Sequence, residues 1–257
     1  MRLPVSCLAL LLTGAALLPI GCRSGIEANF EAQVSLAADP GVRPPSEETV
    51  AAELRARAKL LALPADIDPA SSGDGLLNIR FRAKSKEEAL QKLDALCQSG
   101  VLSVRAVHDQ SVYLADAART DPSKLPPGYE IMTNALKVEE REIREELVVA
   151  SEEIVGSREV TRAEARRSSE NLVLISLNVK GGRQMEAATE KMRKGRSRLA
   201  IIYDERIISA PLVVDVLASE FSLEGFNSFE EAQAVAASLN KPLSSKLLIE
   251  SLKALAP

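Results

Sequence analysis

The sequence predicts an α+β fold in which helices pack on a mixed or antiparallel sheet, arranged as two successive units. The segment 173–179 alternates apolar and polar residues with a period of two, which is typical of a half-buried strand. The segment 85–97 places apolar residues at helical spacing behind a Ser-x-x-Glu capping box. Segments of both kinds follow each other along the chain, and such elements bury their apolar faces by packing helices on a sheet.

Length and composition limit the class of protein. The chain has 257 residues, of which 46% are hydrophobic, and this is enough for a core in one or two domains. Aromatic residues make up 3% and Trp is missing, so we expect a core of Leu, Val, Ile and Ala. The formal net charge of -4 argues against a nucleic-acid-binding protein, which is usually basic.

The first residues have the pattern of a targeting segment. Arg2 precedes an apolar run from 8 to 20, which is shorter than the roughly 20 residues that span a bilayer. Residues 1–21 are therefore predicted to be a signal peptide. An apolar run of this kind needs no place in the folded protein.

Cys22 is the predicted lipidation site. Gly21 and Cys22 resemble the end of a bacterial lipoprotein signal, which implies acylation of Cys22, with palmitate as a typical chain, and a membrane anchor. Pro19 stands where such signals prefer Leu, so an ordinary secretory signal is the alternative. Arg23, in place of an Asp that would mark inner-membrane retention, favours a periplasm-facing protein on the outer membrane.

The remaining cysteine is expected to be structural. Cys7 lies in the predicted signal peptide and Cys22 would carry lipid, so Cys97 has no partner for an intramolecular disulfide in the mature chain. Cys97 lies on the apolar face of a predicted helix, where a small core residue is expected.

The segment 22–45 is small, polar and proline-bearing and is predicted to be a flexible tether. The first unit, 46–116, begins with a helix capped by Ser46. A strand near 77–82, the helix 85–97 and a strand from Leu102, extended by 112–115, follow it. This order of helices and strands is typical of a small ferredoxin-like layer.

The segment 117–127 contains three prolines and no apolar period, so it is predicted to be the linker between the two units. The second unit, 128–245, starts with a strand at 129–132. Residues 136–170 are dense in Glu and Arg, and local propensity favours a helix there, while strands at 146–150 and 154–156 are the alternative. Residues 246–257 are predicted to form a short amphipathic helix.

The stretch 171–211 is the most regular part of the chain. A strand is broken at the Gly pair 181–182, a helix follows, and Gly195 is placed to end it in the left-handed conformation. Residues 199–203 form a second strand, Asp204 and Glu205 a tight turn, and 206–209 a third strand that Pro211 stops. A second capping box, at Ser228, opens a helix through 239.

This stretch resembles the first periplasmic domain of SecD, the membrane subunit that assists export through the Sec translocon. The matching motifs are Ile-Ser-Leu-Asn at 175–178, Gly195, Arg-Leu-Ala-Ile-Ile at 198–202, Asp204, Ile-Ile-Ser-Ala-Pro at 207–211, Gly-Phe at 225–226, Glu-Glu-Ala at 230–232 and Pro-Gly-Tyr-Glu at 127–130. The resemblance implies a ferredoxin-like base at 46–116 followed by a head at 128–245, and it favours strands over a helix within 136–170.

The resemblance also implies a function in protein export. In that family the domain is thought to contact the emerging unfolded polypeptide, with the head moving on the base, and the linker 117–127 would permit such motion. We therefore expect Sec translocon subunits or exported unfolded polypeptide as partners. The expected contact surface is an apolar groove, and its candidate residues are Tyr129, Ile207, Ile208, Pro211 and Leu212. The transmembrane helices of SecD have no counterpart here, so proton coupling by this chain alone is not expected.

Two other classes of function were weighed. A structural envelope lipoprotein with a repurposed SecD-like domain is the alternative, and it predicts a polar surface without an apolar patch. An enzyme is not expected, because His108 is the single histidine and Ser209 lies outside a Gly-x-Ser-x-Gly elbow. No metal site, catalytic residue or cofactor-binding residue is predicted.

Overall fold

The computed structural model describes residues 27–37, 44–71, 75–138, 141–168 and 170–255. The predicted signal peptide 1–21 and Cys22 lie outside the described residues. Within the described part of the chain, no helix combines the length and the apolar character needed to cross a membrane.

The helices are α1 (Glu47–Leu60), α2 (Lys86–Cys97), α3 (Ser111–Thr120), α4 (Val179–Glu190) and α5 (Phe229–Asn240). The strands are β1 (Ala28–Leu36), β2 (Ala65–Pro69), β3 (Leu76–Ala83), β4 (Leu102–Val107), β5 (Tyr129–Val138), β6 (Arg141–Gly156), β7 (Val160–Arg167), β8 (Asn171–Leu177), β9 (Arg198–Tyr203), β10 (Arg206–Ser209), β11 (Glu220–Phe226) and β12 (Leu247–Ala254). This mixture of helices and sheets confirms the predicted α+β class.

The base is a four-stranded antiparallel sheet in the order β12-β1-β3-β2, with α1 and α2 packed on one face. The chain order β-α-β-β-α-β with this strand order is the ferredoxin-like layer that was predicted. Its fourth strand is β12, however, and not the strand at 102–107. The core between sheet and helices is built from aliphatic residues such as Leu54, Leu77, Ile79 and Leu93.

The prediction of a flexible tether at 22–45 is wrong for residues 28–36. Phe30, Ala32 and Val34 alternate with polar residues and are buried in the base core. This strand lies between β3 and β12, so it gains backbone hydrogen bonds on both edges. The pattern is short and its pairing partners are far along the chain, which is why composition alone indicated a linker.

The prediction of a C-terminal helix at 246–257 is also wrong, because residues 247–254 form β12. The leucines there suit a helical stripe, but Leu252 lies opposite Ala32 of β1, and its backbone completes the base sheet. Tertiary pairing overrides local propensity at this place.

The head is inserted between α2 and β12. Its first part is a closed barrel in the order β10-β5-β6-β4-β9, and its second part is the three-stranded sheet β11-β8-β7, whose core face packs on α5 and on Met185 of α4. Since β4 pairs with β6 and β9, it belongs to the head and not to the base. The predicted base of 46–116 and head of 128–245 therefore have the wrong boundaries.

The segment 112–115 is part of helix α3 and does not extend a strand. Helix α3 packs through Leu114 and Ala115 on Val148 of the barrel wall. The predicted linker 117–127 contains the end of α3 and a 3-10 turn at Pro122–Lys124, and it connects two elements of the head. It is not the border between base and head.

The strand interpretation of 136–170 is confirmed, since β5 and β6 form a long hairpin and β7 follows. Residues 141–156 are one strand, however, and the turn lies at Ser157–Glu159. The stretch 171–211 also differs in one respect from its prediction. Strand β8 lies in the three-stranded sheet while β9 and β10 lie in the barrel, and the Gly pair 181–182 is inside α4, which Asn178 caps.

The local signals near helix starts and turns are confirmed. Ser46, Ser85 and Ser228 each accept a hydrogen bond from the backbone N–H three residues on, at 3.2, 3.2 and 3.0 Å. Asp204 and Glu205 both have positive φ in the turn between β9 and β10, which suits the twist of a tight hairpin.

Candidate functional site

One end of the barrel opens into a cleft of about 320 Å³. Its lining comprises residues 107–113 with Glu145, Leu147, Arg196 and Arg198. Val107 and Leu147 belong to the barrel interior and give the cleft an apolar floor. The charged residues of β6 and of the turn before β9 lie above that floor, so the cleft offers apolar and polar contacts together.

The wall of the cleft is the turn between β4 and α3. The backbone N–H of His108 donates to the carbonyl of Val148 at 2.8 Å, and the N–H of Val148 donates to the Ser111 hydroxyl at 2.7 Å. The N–H of Gln110 donates to Nδ1 of His108 at 3.1 Å. These bonds hold the start of α3 against β6, so the wall has a defined position relative to the floor.

The open side of this cleft, with the residues that surround it, is named here the mouth. The ion pair of Arg198 and Glu145 lies in it. Arg198 donates to both carboxylate oxygens of Glu145, at 2.7 and 3.1 Å, and its Nε donates to the carbonyl of Ala210 at 2.8 Å. The hydrogen bonds from Arg198 lower the pKa of the Glu145 carboxyl below its ordinary value, with desolvation acting in the opposite direction. The planar fork of arginine suits this bidentate geometry and joins β6, β9 and the chain after β10.

Asn134 lies fully buried beside this pair. Its Nδ2 is 3.5 Å from a Glu145 oxygen, and its Oδ1 has no hydrogen-bond partner among the described residues. A second carboxylate, Asp109, accepts hydrogen bonds from Arg193 and from the Ser197 hydroxyl, the latter at 2.8 Å. These bonds, with that from Arg193 the strongest, lower the pKa of Asp109. The mouth carboxylates are thus held as anions by arginines.

Apolar side chains are exposed at two places near this polar centre. Val112 and Tyr113, in the first turn of α3, line the cleft and are each 71% exposed. The second place is the segment 211–216, named here the apolar loop, which pairs with Arg198 and in which Leu212 is 50% and Val214 is 76% exposed. Val216 is also exposed.

The apolar loop is fixed to the barrel by its backbone. The carbonyl of Pro211 accepts from the N–H of Leu199 at 3.1 Å, and Val213 exchanges bonds of 2.8 Å with Ser197 and Gly195. The side chain of Val213 is buried in the head core, so its neighbours point outward. The exposed apolar surface therefore results from the backbone pairing of this loop with residues 195–199. It lies next to Arg198, which forms an isolated antiparallel β-bridge with Leu212.

The structure separates the predicted contact residues. Pro211 and Leu212 are exposed in the apolar loop, and their contact with a partner stays a prediction. Tyr129 is half-buried on the outer barrel wall, where its ring meets the His108 ring edge-on at 5.1 Å. Ile208 is half-buried against the head core. Ile207 is 5% exposed inside the barrel, so its assignment to a contact surface is wrong.

Val112 and Tyr113 were not predicted as exposed contact residues, because 112–115 was predicted to extend a strand. Val214 was not predicted either, although the apolar run Val-Val-Asp-Val at 213–216 follows the candidate Leu212 directly. The pair of Glu145 and Arg198 lies 53 residues apart and left no local signal.

The remaining reactive groups lie away from the mouth. Cys97 is buried in the base core, and burial raises the pKa of its thiol to about 12. Across the described ranges, His, Cys, Asp and Glu side chains form no group of three or more suited to a metal ion. The mouth thus combines apolar surface with two arginine–carboxylate pairs, an arrangement suited to binding.

Residues 132–242 match the family model described as SecDF, P1 head subdomain. These are the residues of the barrel from β5 onward, the three-stranded sheet, α4 and α5. The search of curated proteins found no match to the chain.

Two solved structures share the fold. A crystal structure of SecDF in a super-membrane-facing form matches with a TM-score of 0.59 and 18% identity, covering 89% of this chain and 30% of that one. A structure reported for a membrane component SecDF that enhances protein export matches with a TM-score of 0.57 and 19% identity, covering 88% of this chain and 100% of that one. The chain thus spans about 30% of the length of the first of these proteins.

Proposed function

We propose that the chain, whose residues 132–242 match the SecDF P1 head subdomain and whose fold is similar to that of SecDF, is a membrane-anchored extracytoplasmic accessory protein of protein export. Its head binds unfolded or translocating polypeptide at the mouth of the barrel, and Sec translocon subunits are its expected neighbours. The relation to SecDF connects the fold with protein export. The binding itself is argued from the mouth.

The observation that carries the proposal is the exposed apolar surface at two places, in the first turn of α3 and in the apolar loop beside Arg198. Hydrogen bonds fix the buried residues Ser111 and Val213 against the barrel. The side chains next to them therefore point outward, namely Val112 and Tyr113 on α3 and Leu212 and Val214 in the apolar loop. An unfolded chain exposes apolar side chains of its own, and burial gains roughly 25 cal/mol for each Å² removed from water. A few such contacts give weak and sequence-tolerant binding, which an export accessory needs.

The polar centre of the mouth supports the same proposal. Because Glu145 and Asp109 are already neutralised by Arg198 and Arg193, neither carboxylate brings an uncompensated negative charge to the site. A neutral extended segment can then lie across the cleft without displacing a strong ion pair. The site would therefore bind unfolded polypeptides of many different sequences, with a preference for apolar segments.

Membrane attachment is proposed from the sequence, through acylation of Cys22, with the outer membrane favoured by Arg23. The test is metabolic labelling with radioactive palmitate followed by membrane fractionation. Label should enter the full chain and be lost in Cys22→Ser, which should also leave the membrane fraction. A chain that stays unlabelled while its signal is removed would point to an ordinary secretory signal.

The binding proposal is tested by photo-crosslinking in cells that hold a stalled secretory chain. A photoreactive residue replaces Leu212 or Tyr113 at the mouth, and Leu248 of the base is the control because it is 50% exposed, like Leu212. Crosslinks to the stalled chain or to translocon subunits are expected from both mouth positions and not from 248. Equal crosslinking from all three positions, or crosslinks only to resident envelope proteins, would contradict the proposal and favour a structural role.

A further inference from the structure

The main chain passes between base and head twice, because the head is an insertion. Residues 98–101 lead from α2 into β4, and residues 241–246 lead from α5 back to β12. The two crossings lie side by side, since the N–H of Leu243 donates to the carbonyl of Ser99 at 2.9 Å. Any change in the orientation of the head must therefore act on both crossings at once.

Arg57 of helix α1 reaches both crossings from the base. Its side chain is fully buried. Nε and Nη2 donate to the carbonyl of Lys241 at 3.2 and 2.6 Å, and Nη1 donates to the carbonyls of Leu96, at 2.9 Å, and Gln98. One rigid guanidinium thus binds the outgoing and the returning chain. Burial lowers the pKa of Arg57, with desolvation as the largest cause.

The head holds the outgoing crossing from the other side. The carboxylate of Asp204 accepts the N–H of Ser99 at 2.8 Å and that of Val101 at 2.9 Å. The hydroxyl of Tyr203 donates to the Gln98 side chain at 2.8 Å. Residues 98–101 are therefore attached to the head through β9 and its turn, and to the base through Arg57.

We propose that the hydrogen bonds of Arg57 fix the orientation of the head relative to the base. Their acceptors are main-chain carbonyls of the crossings and of the last residues of α2, so these hydrogen bonds hold the crossings and contribute little to the base core itself. Without Arg57, 98–101 stays bound to Asp204 of the head and loses its bonds to the base helix α1. The base still contacts the returning crossing, through Glu53 at Ser244 and through Leu243 in the base core. The head then gains freedom to rotate about the returning crossing. This inference does not depend on the proposed function.

Arg55 offers a matched control on the same helix. Its guanidinium binds the carbonyl of Ile67 at 2.9 and 2.6 Å and pairs with Glu48 and Asp68, all within the base. Replacing Arg55 removes a comparable number of hydrogen bonds from α1 but touches neither crossing. General loosening of the base and release of the head can therefore be told apart.

The experiment measures the distance between a spin label at Lys86 of the base and one at Glu190 of the head, both exposed, introduced through encoded unnatural residues in the full chain. The unsubstituted chain and Arg55→Met should give one narrow distribution, and Arg57→Met a broad or shifted one. Amide exchange at Leu243, whose N–H joins the two crossings, should rise roughly tenfold or more in Arg57→Met alone, while Val101 stays protected by Asp204.

Several results would overturn the proposal. These are a folded Arg57→Met chain with the unsubstituted distribution, equal broadening in Arg55→Met, or a broad distribution in the unsubstituted chain. Should Arg57→Met not fold, Arg57→Gln keeps one neutral donor for a single crossing and is expected to broaden the distribution as well. A narrow distribution of the distance between the two spin labels in a folded Arg57→Gln chain would contradict this role of Arg57.

Discussion

The junction between base and head and the mouth of the barrel are both organised around an arginine, but in opposite ways. At the junction, Arg57 is fully buried and binds only main-chain carbonyls. At the mouth, Arg198 is partly exposed and pairs with the carboxylate of Glu145, beside a surface of exposed apolar side chains. The first arrangement closes a region to solvent, and the second leaves a region open for a partner. The difference separates a structural centre from the proposed binding centre within one fold.

The largest expected difference is in stability. Arg57→Met removes the donor of the buried carbonyl of Leu96 and of the partly buried carbonyls at both crossings, and we expect the free energy of unfolding to fall by about 2–4 kcal/mol. Arg198→Met, at a partly exposed pair, should lower it by about 1 kcal/mol or less. Urea unfolding followed by circular dichroism measures both. Similar losses for the two variants would remove the distinction between junction and mouth.

Two glycines with positive φ give a second comparison. A Cβ on Gly100 would lie 2.4 Å from the carbonyl oxygen of Ser238, whereas a Cβ on Gly195, beside the apolar loop, has nothing within 4 Å. Both residues have φ near +70 to +79°, so Ala is strained at either. We expect Gly195→Ala to lower the free energy of unfolding by about 1 kcal/mol, and Gly100→Ala by about 2–3 kcal/mol because main chain must also move.

The melting temperatures of Gly100→Ala and Gly195→Ala, measured by calorimetry, test this difference in stability. The unsubstituted chain is the reference, and the drop should be clearly larger for Gly100→Ala. If Gly195→Ala costs as much as Gly100→Ala, the junction is not more tightly packed than the turn at the mouth.

The two arginines also predict different responses to pH. Because Arg198 lowers the pKa of Glu145, the stability from this pair is complete above the ordinary Glu value of 4.5 and is lost as pH falls below it through the folded-state pKa. Asp109 behaves in the same way below its ordinary value of 3.8. The acceptors of Arg57 are main-chain carbonyls, which do not titrate, so the hydrogen bonds of Arg57 persist through this range.

The measurement is hydrogen exchange or chemical shift between pH 6 and pH 3, read at the two regions separately. Amides near 145 and 198 should change below pH 4.5, while the amide of Leu243, which donates to the carbonyl of Ser99, does not. In Glu145→Gln the acid response at 145 should disappear. A parallel change at Leu243 would contradict this, because it would show that the contact between the crossings depends on a carboxylate.

Local signals in the sequence predicted the parts of the fold that depend on near neighbours. The caps at Ser85 and Ser228 and the turn at Asp204 are set within a few residues, and each was predicted. Strand β1 and strand β12 were not, because Ala32 and Leu252 pair across 220 residues and neither segment has a strong pattern alone. Pairing at such separation is a property of the whole fold.

The candidate site was predictable only in part for the same reason. The apolar character of 212–217 is visible in the sequence, and Leu212 was singled out. The burial of Ile207 depends on closure of the barrel, and Arg57 looks like one more charge on a solvated helix until its acceptors near 98 and 241 are known. Such contacts join segments that local propensity treats separately.

The central claim is that the mouth binds unfolded polypeptide, and a binding titration tests it most directly. The probe is a reduced, alkylated and fluorescently labelled secretory protein, titrated with the full chain in detergent and followed by anisotropy. Leu212→Asp combined with Val214→Asp should weaken binding roughly tenfold or more, since it places charge where apolar contact forms. Leu248→Asp on the base, equally exposed as Leu212, should leave the affinity unchanged. All these chains should unfold at the same urea concentration. Equal affinity of the mouth variant and the unsubstituted chain would contradict the account.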